Sequence, residues 1–218
     1  MKKSLFAFLA LTITCLGSQA QNTRFGVQAG AAFANYNFKS DGQSDNASTK
    51  VGLTLGLLVH TPISEHFVFE PAVNFVQKGT KQKETISGQT AETTITTNNI
   101  EIPFNFVYNS ATQGGRFFIG AGPSVAFSMS GKIKYKDPTT EVTQSLNFGS
   151  STDDDLKGFD FGINFLAGYG FTNGLFIAAN YNMGLSNLAV DGDNNNSVKS
   201  NYFGVRLGYL FNKKAAAK

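Results

Sequence analysis

Two alternating segments joined by a short turn, residues 159–185, constrain the fold of this chain most strongly. In the first segment the odd-numbered residues are bulky and apolar, whereas the even-numbered residues are mostly small or polar. An extended strand places two such sets on opposite faces. The turn Thr172-Asn173-Gly174 is typical of a β-hairpin, and the second segment resumes the alternation. The pattern therefore predicts two antiparallel strands that share one apolar face.

The same alternation recurs in six further segments, so the sequence predicts eight strands and no helical periodicity. Long polar connections follow the first, third, fifth and seventh strands, at 38–49, 78–99, 131–156 and 189–200, and the other three connections are short. Such alternation predicts an all-β, antiparallel up-and-down transmembrane barrel with its long loops at one rim. The six further strands are predicted at Arg24–Asn37, Val51–His60, Phe67–Phe75, Ile100–Asn109, Phe117–Met129 and Tyr202–Phe211.

The distribution of large and small residues predicts which face lines the barrel. An eight-stranded barrel has room inside only for packed side chains, so Gly, Ala, Ser and Asn are expected inside and Phe, Leu and Tyr outside. A soluble β-sandwich is the alternative, because it also has one apolar face per strand. Strand lengths near the 9 to 11 residues that cross a bilayer favour the membrane barrel. Aromatic residues at strand ends are expected to form interfacial girdles: Phe75, Tyr108, Phe117, Tyr169 and Tyr209.

Three prolines lie within the predicted strands, at Pro71, Pro103 and Pro123. Proline lacks the backbone donor that a strand ladder needs and is normally confined to strand ends or bulges. We therefore expect a local bulge at each of the three positions.

The first 20 residues have the pattern of a cleaved secretory signal peptide. Lys2 and Lys3 precede an apolar run, and small residues precede the expected cleavage after Ala20. The run is shorter than the roughly 20 residues of a membrane-spanning helix. Cleavage would lower the formal net charge from +3 to +1 and remove Cys15, the single cysteine. The predicted organisation is a signal peptide at 1–20, a barrel domain at 21–212 and a C-terminal tail at 213–218.

These properties exclude several functional classes. Without a cysteine, the mature chain has no disulfide framework and no cysteine metal site. A net charge near zero gives no electrostatic reason to expect nucleic acid as a partner. The expected surroundings are instead the lipid bilayer of the bacterial outer membrane, with the chain a monomer and both termini in the periplasm.

Charged and amide side chains on the inward faces are candidates for an interior polar network: Glu70, Glu101, Asp160, Asn164, Asn180 and Arg206. A proton or ion path is the functional interpretation. A structural ion-pair network is favoured, because an eight-stranded barrel has no continuous pore and an unpaired charge away from water is costly.

Catalytic and metal sites find little support in the sequence. His60 and His66 are the only bases suited to neutral pH, and no nucleophile can be placed beside either, so the sequence predicts neither an enzyme nor a cofactor. Two segments offer clustered side-chain oxygens. They are Asp153–Asp155 and Asp191–Asn195, and the second includes Asp193. The second cluster lacks the later Gly and Glu of a calcium loop, so solvated polar loops are expected.

Lysines in the long connections are candidates for surface interaction. Lys78, Lys81 and Lys83 occur in the segment KGTKQK, and further lysines occur in GKIKYK. Both segments are expected near the outer surface, where the phosphates of lipopolysaccharide would be neighbours.

Several motifs resemble a known family. The segments IEIPFNFVY at 100–108, FFIGAGPSVAF at 117–127, DFGINFLAGYGF at 160–171 and NYNMGLSNL at 180–188 are similar to the PorT-like, or porin-family, outer-membrane β-barrel domain of Bacteroidetes. The resemblance implies a small barrel of the OmpA/OmpX type and covers the mature chain. It implies no single activity, although one branch of the family belongs to the type IX secretion machinery. We expect a structural or surface-interaction role through the long loops, and the alternative is an accessory component of a secretion or transport complex.

Overall fold

The computed structural model describes residues 23–211 except 42, 47, 87–88, 113 and 194, and the regular structure within them is β-strand. No helix in this part of the chain is long and apolar enough to cross a membrane. The predicted signal peptide at 1–20 and tail at 213–218 lie outside the described residues. The strands are β1 Arg24–Ser40, β2 Gln43–Asn46, β3 Ser48–Pro62, β4 Phe67–Ile86, β5 Gln89–Thr112, β6 Gly115–Lys136, β7 Glu141–Leu146, β8 Phe159–Phe171, β9 Leu175–Gly184 and β10 Ser197–Leu210.

Eight of these strands close into an antiparallel ring. The ring order is β10-β9-β8-β6-β5-β4-β3-β1, and β1 pairs with β10 from Gly26↔Leu210 to Lys39↔Ser197. The two short strands lie outside the ring, β2 beside β1 and β7 beside β6. The closed ring confirms the predicted eight-stranded up-and-down barrel and excludes the β-sandwich, which leaves its sheets open at the edges.

The two ends of the barrel differ in their connections. The connections between β3 and β4, between β5 and β6 and between β8 and β9 are short and lie at one end, which we call the short-turn end. In the last of these turns Gly174 has a φ of 95° and its N–H donates to the carbonyl of Phe171. The N–H of Phe211 donates to the carbonyl of Phe25 over 2.8 Å, so the first and last strands also meet at this end.

The long connections at the other end, the hairpin end, are strands over much of their length, which corrects the expectation of polar loops. β4 continues to Ile86 and β5 begins at Gln89, so most of the predicted loop at 78–99 is a two-stranded hairpin. β6 reaches Lys136, and β7 pairs with its outer part. Within the described residues, β4, β5, β6 and β7 thus form a four-stranded sheet at the hairpin end, the projecting sheet.

The three prolines do not produce the bulges that were expected at them. The β4–β5 pairing keeps one register from Phe67↔Tyr108 to Ile86↔Gln89, although pairs are missing beside Pro71 and Pro103. Pro123 pairs with Ile163 in an unshifted β6–β8 ladder. The register shifts lie instead at Thr49/Thr54 and at Asn98/Asn99. A missing donor therefore interrupts the ladder here without inserting a residue.

The barrel is apolar outside, as the alternation predicts, whereas the inside combines polar side chains with three apolar clusters that include Leu58, Phe176 and Leu166, large residues that were expected outside. On β3, for example, Val51 and Leu57 point outward and are 60% and 64% exposed, whereas Thr54 points inward and is 1% exposed. An outward band of this kind is unfavourable in water and suits a lipid environment. Near the short-turn end Tyr108 packs on Phe67 and Phe117 on Tyr169, with ring centroids 5.4 and 4.8 Å apart. The other two proposed girdle residues, Phe75 and Tyr209, are half-buried.

Inward-facing glycines make room for large side chains from the next strand. The ring of Phe176 on β9 lies over Gly208 on β10, and a Cβ atom at Gly208 would overlap that ring. Phe118 covers Gly168 in the same way, and Phe118 and Phe176 pack edge to face with centroids 6.4 Å apart. The small residues on the inward face therefore reflect cross-strand packing.

Replacement of Gly208 by alanine is expected to destabilise the barrel by about 1–3 kcal/mol, because the new methyl group overpacks the Phe176 ring. Urea unfolding followed by circular dichroism measures the change. Gly114→Ala is the matched control, because the nearest atom to a Cβ there is the Tyr169 hydroxyl at 3.4 Å. Equal stability of the two variants would contradict the packing interpretation.

Candidate functional site

Four side chains form a chain of contacts inside the barrel, which we call the interior network: Lys78, Glu101, Tyr202 and Arg206. Lys78 Nζ lies 3.0 Å from Glu101 Oε2, and the Tyr202 hydroxyl donates to Glu101 Oε1 over 2.5 Å. Arg206 Nη2 donates to the Tyr202 hydroxyl over 2.8 Å. Glu101 is fully buried and Lys78 is 2% exposed. The network thus joins β4, β5 and β10 across the interior.

The position of Lys78 corrects the prediction that it lies in a surface loop. Inward and outward residues alternate along β4, and Lys78 shares the inward side with Asn74 and Val76. The prediction was wrong because the strand continues beyond its apolar part. Tyr202 was not predicted as a network residue either. The alternation along β10 nevertheless places it on the inward face, together with Ser200 and Gly204.

The predicted amide residues form a second set of interior contacts. Asn180 Nδ2 donates to Asn164 Oδ1 over 3.0 Å, and Asn164 Nδ2 donates to Asn105 Oδ1 over 2.9 Å. Asn182 Nδ2 donates to Ser124 Oγ over 2.8 Å. These bonds connect β9, β8, β6 and β5 through buried side chains, so they fix the relative positions of neighbouring strands.

Asp160 lies in the same interior but uses its polar atoms less fully. The side chain is 9% exposed, and Oδ1 has no hydrogen-bond partner within the described residues. Lys78 and Glu101 are both within electrostatic reach of its carboxylate. Lys78 therefore lies near two acidic groups, Glu101 and Asp160.

Glu70 belongs to a separate cluster nearer the short-turn end. Its Oε2 lies 2.6 Å from Nδ1 of His60, which is 3% exposed. Arg116 and Arg24 are within electrostatic reach of Glu70. His66 lies in the turn at 63–66, where its ring stacks on Tyr108 with centroids 5.7 Å apart. The six predicted network residues thus fall into three sets. Glu101 and Arg206 belong to the interior network, with Asp160 near it; Asn164 and Asn180 belong to the amide contacts; and Glu70 belongs to the cluster with His60.

A small interior cavity adjoins the cluster of His60 and Glu70. Arg116 and Arg206 also line it, and the Nε atoms of both arginines lack a hydrogen-bond partner within the described residues. Its free volume is about 30 Å³. That volume holds roughly one or two water molecules. Apolar side chains, including Leu58, Phe118 and Phe176, also line this cavity.

Beyond the apolar band, β4, β5 and β6 continue into the projecting sheet, and cross-strand pairing arranges its outward-facing residues in four rows. The innermost row carries amides and a hydroxyl, and Gln77 donates to Asn98, which donates to Ser130, over 3.2 and 3.0 Å. Lysines begin in the next row. From the apolar band outward, the rows are Gln77, Asn98 and Ser130; Gly79, Thr96, Lys132 and Ser145; Lys81, Thr94, Lys134 and Thr143; Lys83, Glu92, Lys136 and Glu141.

The two acidic residues of this face lie in the row furthest from the apolar band. Lys81 and Lys83 approach Glu92 to 3.7 and 3.3 Å, and the Lys83 ammonium holds the pKa of Glu92 below its ordinary value. Lys134 lies 2.6 Å from Glu141 and lowers the pKa of that carboxyl in the same way. Both carboxylates are partly exposed, so these pairs contribute little to stability.

The acidic clusters of the hairpin-end loops serve as turn acceptors. Asp154 and Asp155 accept backbone N–H groups of Ser151 and Asn147 over 2.8 Å. Asp193 accepts the N–H groups of Asn196 and Asn195, which lower the pKa of its carboxyl, and Asp191 is exposed in the adjacent turn. No group of three or more His, Cys, Asp or Glu residues suited to a metal ion occurs in the described part of the chain.

Similarity to solved structures is low in sequence and covers most of each chain. Neisserial surface protein A is 16% identical, with 86% of this chain and 97% of that chain covered and a TM-score of 0.45. Ail of Yersinia pestis, solved with the heparin analogue sucrose octasulfate, is 16% identical, with 87% and 99% covered and a TM-score of 0.42. The outer membrane enzyme PagL is 14% identical, with 84% and 98% covered and a TM-score of 0.42.

Comparison with families gives the identification. A search of curated proteins gives no match. The outer membrane protein β-barrel domain family matches residues 19–190, which include seven of the eight ring strands. This chain therefore belongs to the outer membrane protein β-barrel domain family, which indicates the bacterial outer membrane as its location.

Proposed function

We propose that the protein is a closed, non-enzymatic barrel with a structural or surface-interaction role, and that its partner contacts lie at the hairpin end. The projecting sheet is the observation that carries this proposal. Among the strands of the described residues, β7 pairs with β6 alone, so its other edge offers backbone groups without a strand partner there. Val142 on this strand is 44% exposed. An exposed strand edge carried by a rigid barrel is well suited to contact a partner.

The interior supports the closed and non-enzymatic parts of the proposal. The interior network and the amide contacts pair many of their polar groups with one another, and the free volume of the adjoining cavity holds about one or two waters. His60, the buried base, is engaged by Glu70. These contacts give Lys78, Glu101 and Glu70 a structural role that needs neither a substrate nor an ion path.

The remaining details of the proposal follow from the topology. We place the short-turn end and both termini in the periplasm after removal of a signal peptide at 1–20, because long connections of small barrels lie outside the cell. The protein acts as a monomer in the lipid bilayer, and lipopolysaccharide is the expected neighbour of its lysines. Within its family, the PorT-like branch is the proposed relative on the motifs at 100–108 and 117–127.

A role as an accessory component of a type IX-like secretion or transport complex is the alternative. It would use the short-turn end for docking, where Ile63 is 43% exposed and Phe67 is 50% exposed. The two roles therefore place the partner at opposite ends of the barrel.

Photo-crosslinking from each end separates the two roles. A photoreactive residue is placed at Val142 in one variant and at Ile63 in the other, since the two side chains are exposed to the same extent. We expect crosslinked envelope macromolecules from the Val142 variant and none from the Ile63 variant in intact cells. Products from Ile63 alone would favour the secretion role, and an absence of products from both positions would contradict the proposal.

A further inference from the structure

The outward face of the projecting sheet changes in chemistry with distance from the apolar band. The last apolar residues on the outward faces of β4, β5 and β6 are Phe75, Ile100 and Met129, and the apolar band ends there. The amide row follows, then two rows that carry Lys132, Lys81 and Lys134 without any acidic residue. Two residues of a strand tilted by about 40° advance roughly 5 Å along the barrel axis. The lysines thus begin roughly 10 Å beyond the apolar band.

Three lysines converge just beyond the amide row. Lys50 Nζ lies 3.3 Å from Gln77 Oε1, and Lys81 and Lys132 are both within electrostatic reach of it. Among the described residues, neither Lys50 nor Lys132 forms an ion pair. Glu92 compensates Lys81 at 3.7 Å, whereas Lys50 and Lys132 have no such partner among the described residues, so a further anion would relieve the repulsion between the three like charges.

Hydroxyl groups accompany the lysines in these two rows. Thr94, Thr96, Thr143 and Ser145 lie on the same face as Lys132 and Lys134. Ammonium and hydroxyl groups together are donors for phosphate and sugar oxygens. The long lysine side chains can also extend back toward the membrane surface while their charged ends stay in water.

We infer that this face binds the phosphate groups of an outer-leaflet glycolipid headgroup. Lys81 and Lys132 hold the phosphates, Lys50, which is 9% exposed, adds its charge from beneath, and the amide row borders the sugar and acyl linkages. From the barrel outward, the face is first apolar, then carries amides and then carries lysines. In such a lipid the acyl chains, their linkages and the phosphates follow one another in the same order. This inference rests on the proposed function and names a lipid as one partner of the hairpin end.

The test compares two double variants of the intact barrel in neutral detergent. Lys81→Gln/Lys132→Gln removes two lysines from the rows near the band, and Lys83→Gln/Lys136→Gln removes two from the outermost row of the same strands. Retention of fluorescent lipid A on the immobilised protein is titrated for each variant. Because each lysine near a charged lipid surface strengthens binding about fivefold, the first variant is expected to bind roughly tenfold to thirtyfold more weakly. The second variant is expected to change by less than about threefold, because its lysines lie further from the apolar band and share their row with Glu92 and Glu141.

Several outcomes would overturn the inference. Equal affinities of the two double variants would show that position in the sheet does not matter. Equal binding of lipid A without phosphates would remove the phosphate contact, and displacement by an equal concentration of inorganic phosphate would indicate free phosphate as the ligand. If these results occur while Val142 still gives crosslinks, the proposed function stands and only the lipid inference fails. If lipid binding depends on the lysines but crosslinks form from Ile63 alone, the lipid inference stands and the proposed function fails.

Discussion

Replacement of Lys78 by methionine is expected to destabilise the barrel by about 3–5 kcal/mol, which is the cost of breaking a buried ion pair from one side. Glu101 is fully buried, and Lys78 Nζ is the cation nearest to its Oε2, at 3.0 Å. Without Lys78, Glu101 loses its ion pair and Asp160 loses the cation near its carboxylate. Urea unfolding in phospholipid vesicles, followed by circular dichroism because the chain has no tryptophan, measures the loss.

The double variant Lys78→Met/Glu101→Met tests whether the loss arises from the unpaired charge. It removes one cation and one anion, so Arg206 and Asp160 remain balanced. We expect the double variant to be more stable than Lys78→Met alone, because a buried pair is often replaced by apolar residues at little cost. Simple addition of the two single effects would contradict the ion-pair interpretation, since contacting residues are expected to couple.

The period of the alternation explains how much of the fold the sequence predicts. Inward and outward positions follow directly from a period of two, and Glu101, Asp160, Asn164 and Arg206, which this period assigns to the inward face, are buried in the structure. The ring closure follows from the same pattern, because it is the arrangement that gives every strand one apolar face outward and leaves no edge.

The length of the strands was less predictable. Beyond the membrane band, β4 and β5 carry polar residues on both faces, so the apolar alternation that reveals a strand disappears. Backbone hydrogen bonds to neighbouring strands maintain the pairing there, and these are not encoded in a local pattern. Lys78 was assigned to a loop for this reason.

The sequence does not predict which residues of the interior network contact one another, and the reason here is different. Tyr202 and Glu101 are 101 residues apart, and their contact depends on the register of every strand pair between them. A shift such as that at Asn98/Asn99 changes which residues meet across the barrel. Parity predicts that such residues share the interior, but only the register determines which of them pair.

Replacement of Arg206 by leucine is expected to destabilise the barrel by about 2–4 kcal/mol without opening a channel. Arg206 is 6% exposed and donates to the Tyr202 hydroxyl over 2.8 Å, and that hydroxyl donates to Glu101, so the substitution removes the cation at the end of the interior network. Val205→Leu, on the outward face of the same strand, is the control and is expected to change stability little.

Conductance in planar bilayers distinguishes a structural network from an ion path at this position. Phe118, Phe176 and Tyr202 pack inside the barrel, and the adjoining cavity holds about one or two waters, so removal of one side chain leaves no continuous aqueous route. We therefore expect the Arg206→Leu protein to unfold at lower urea concentration while its conductance stays at the level of the unsubstituted protein. Unchanged stability together with new channel activity would show that Arg206 gates an ion path, and the interior charges would then need a transport role.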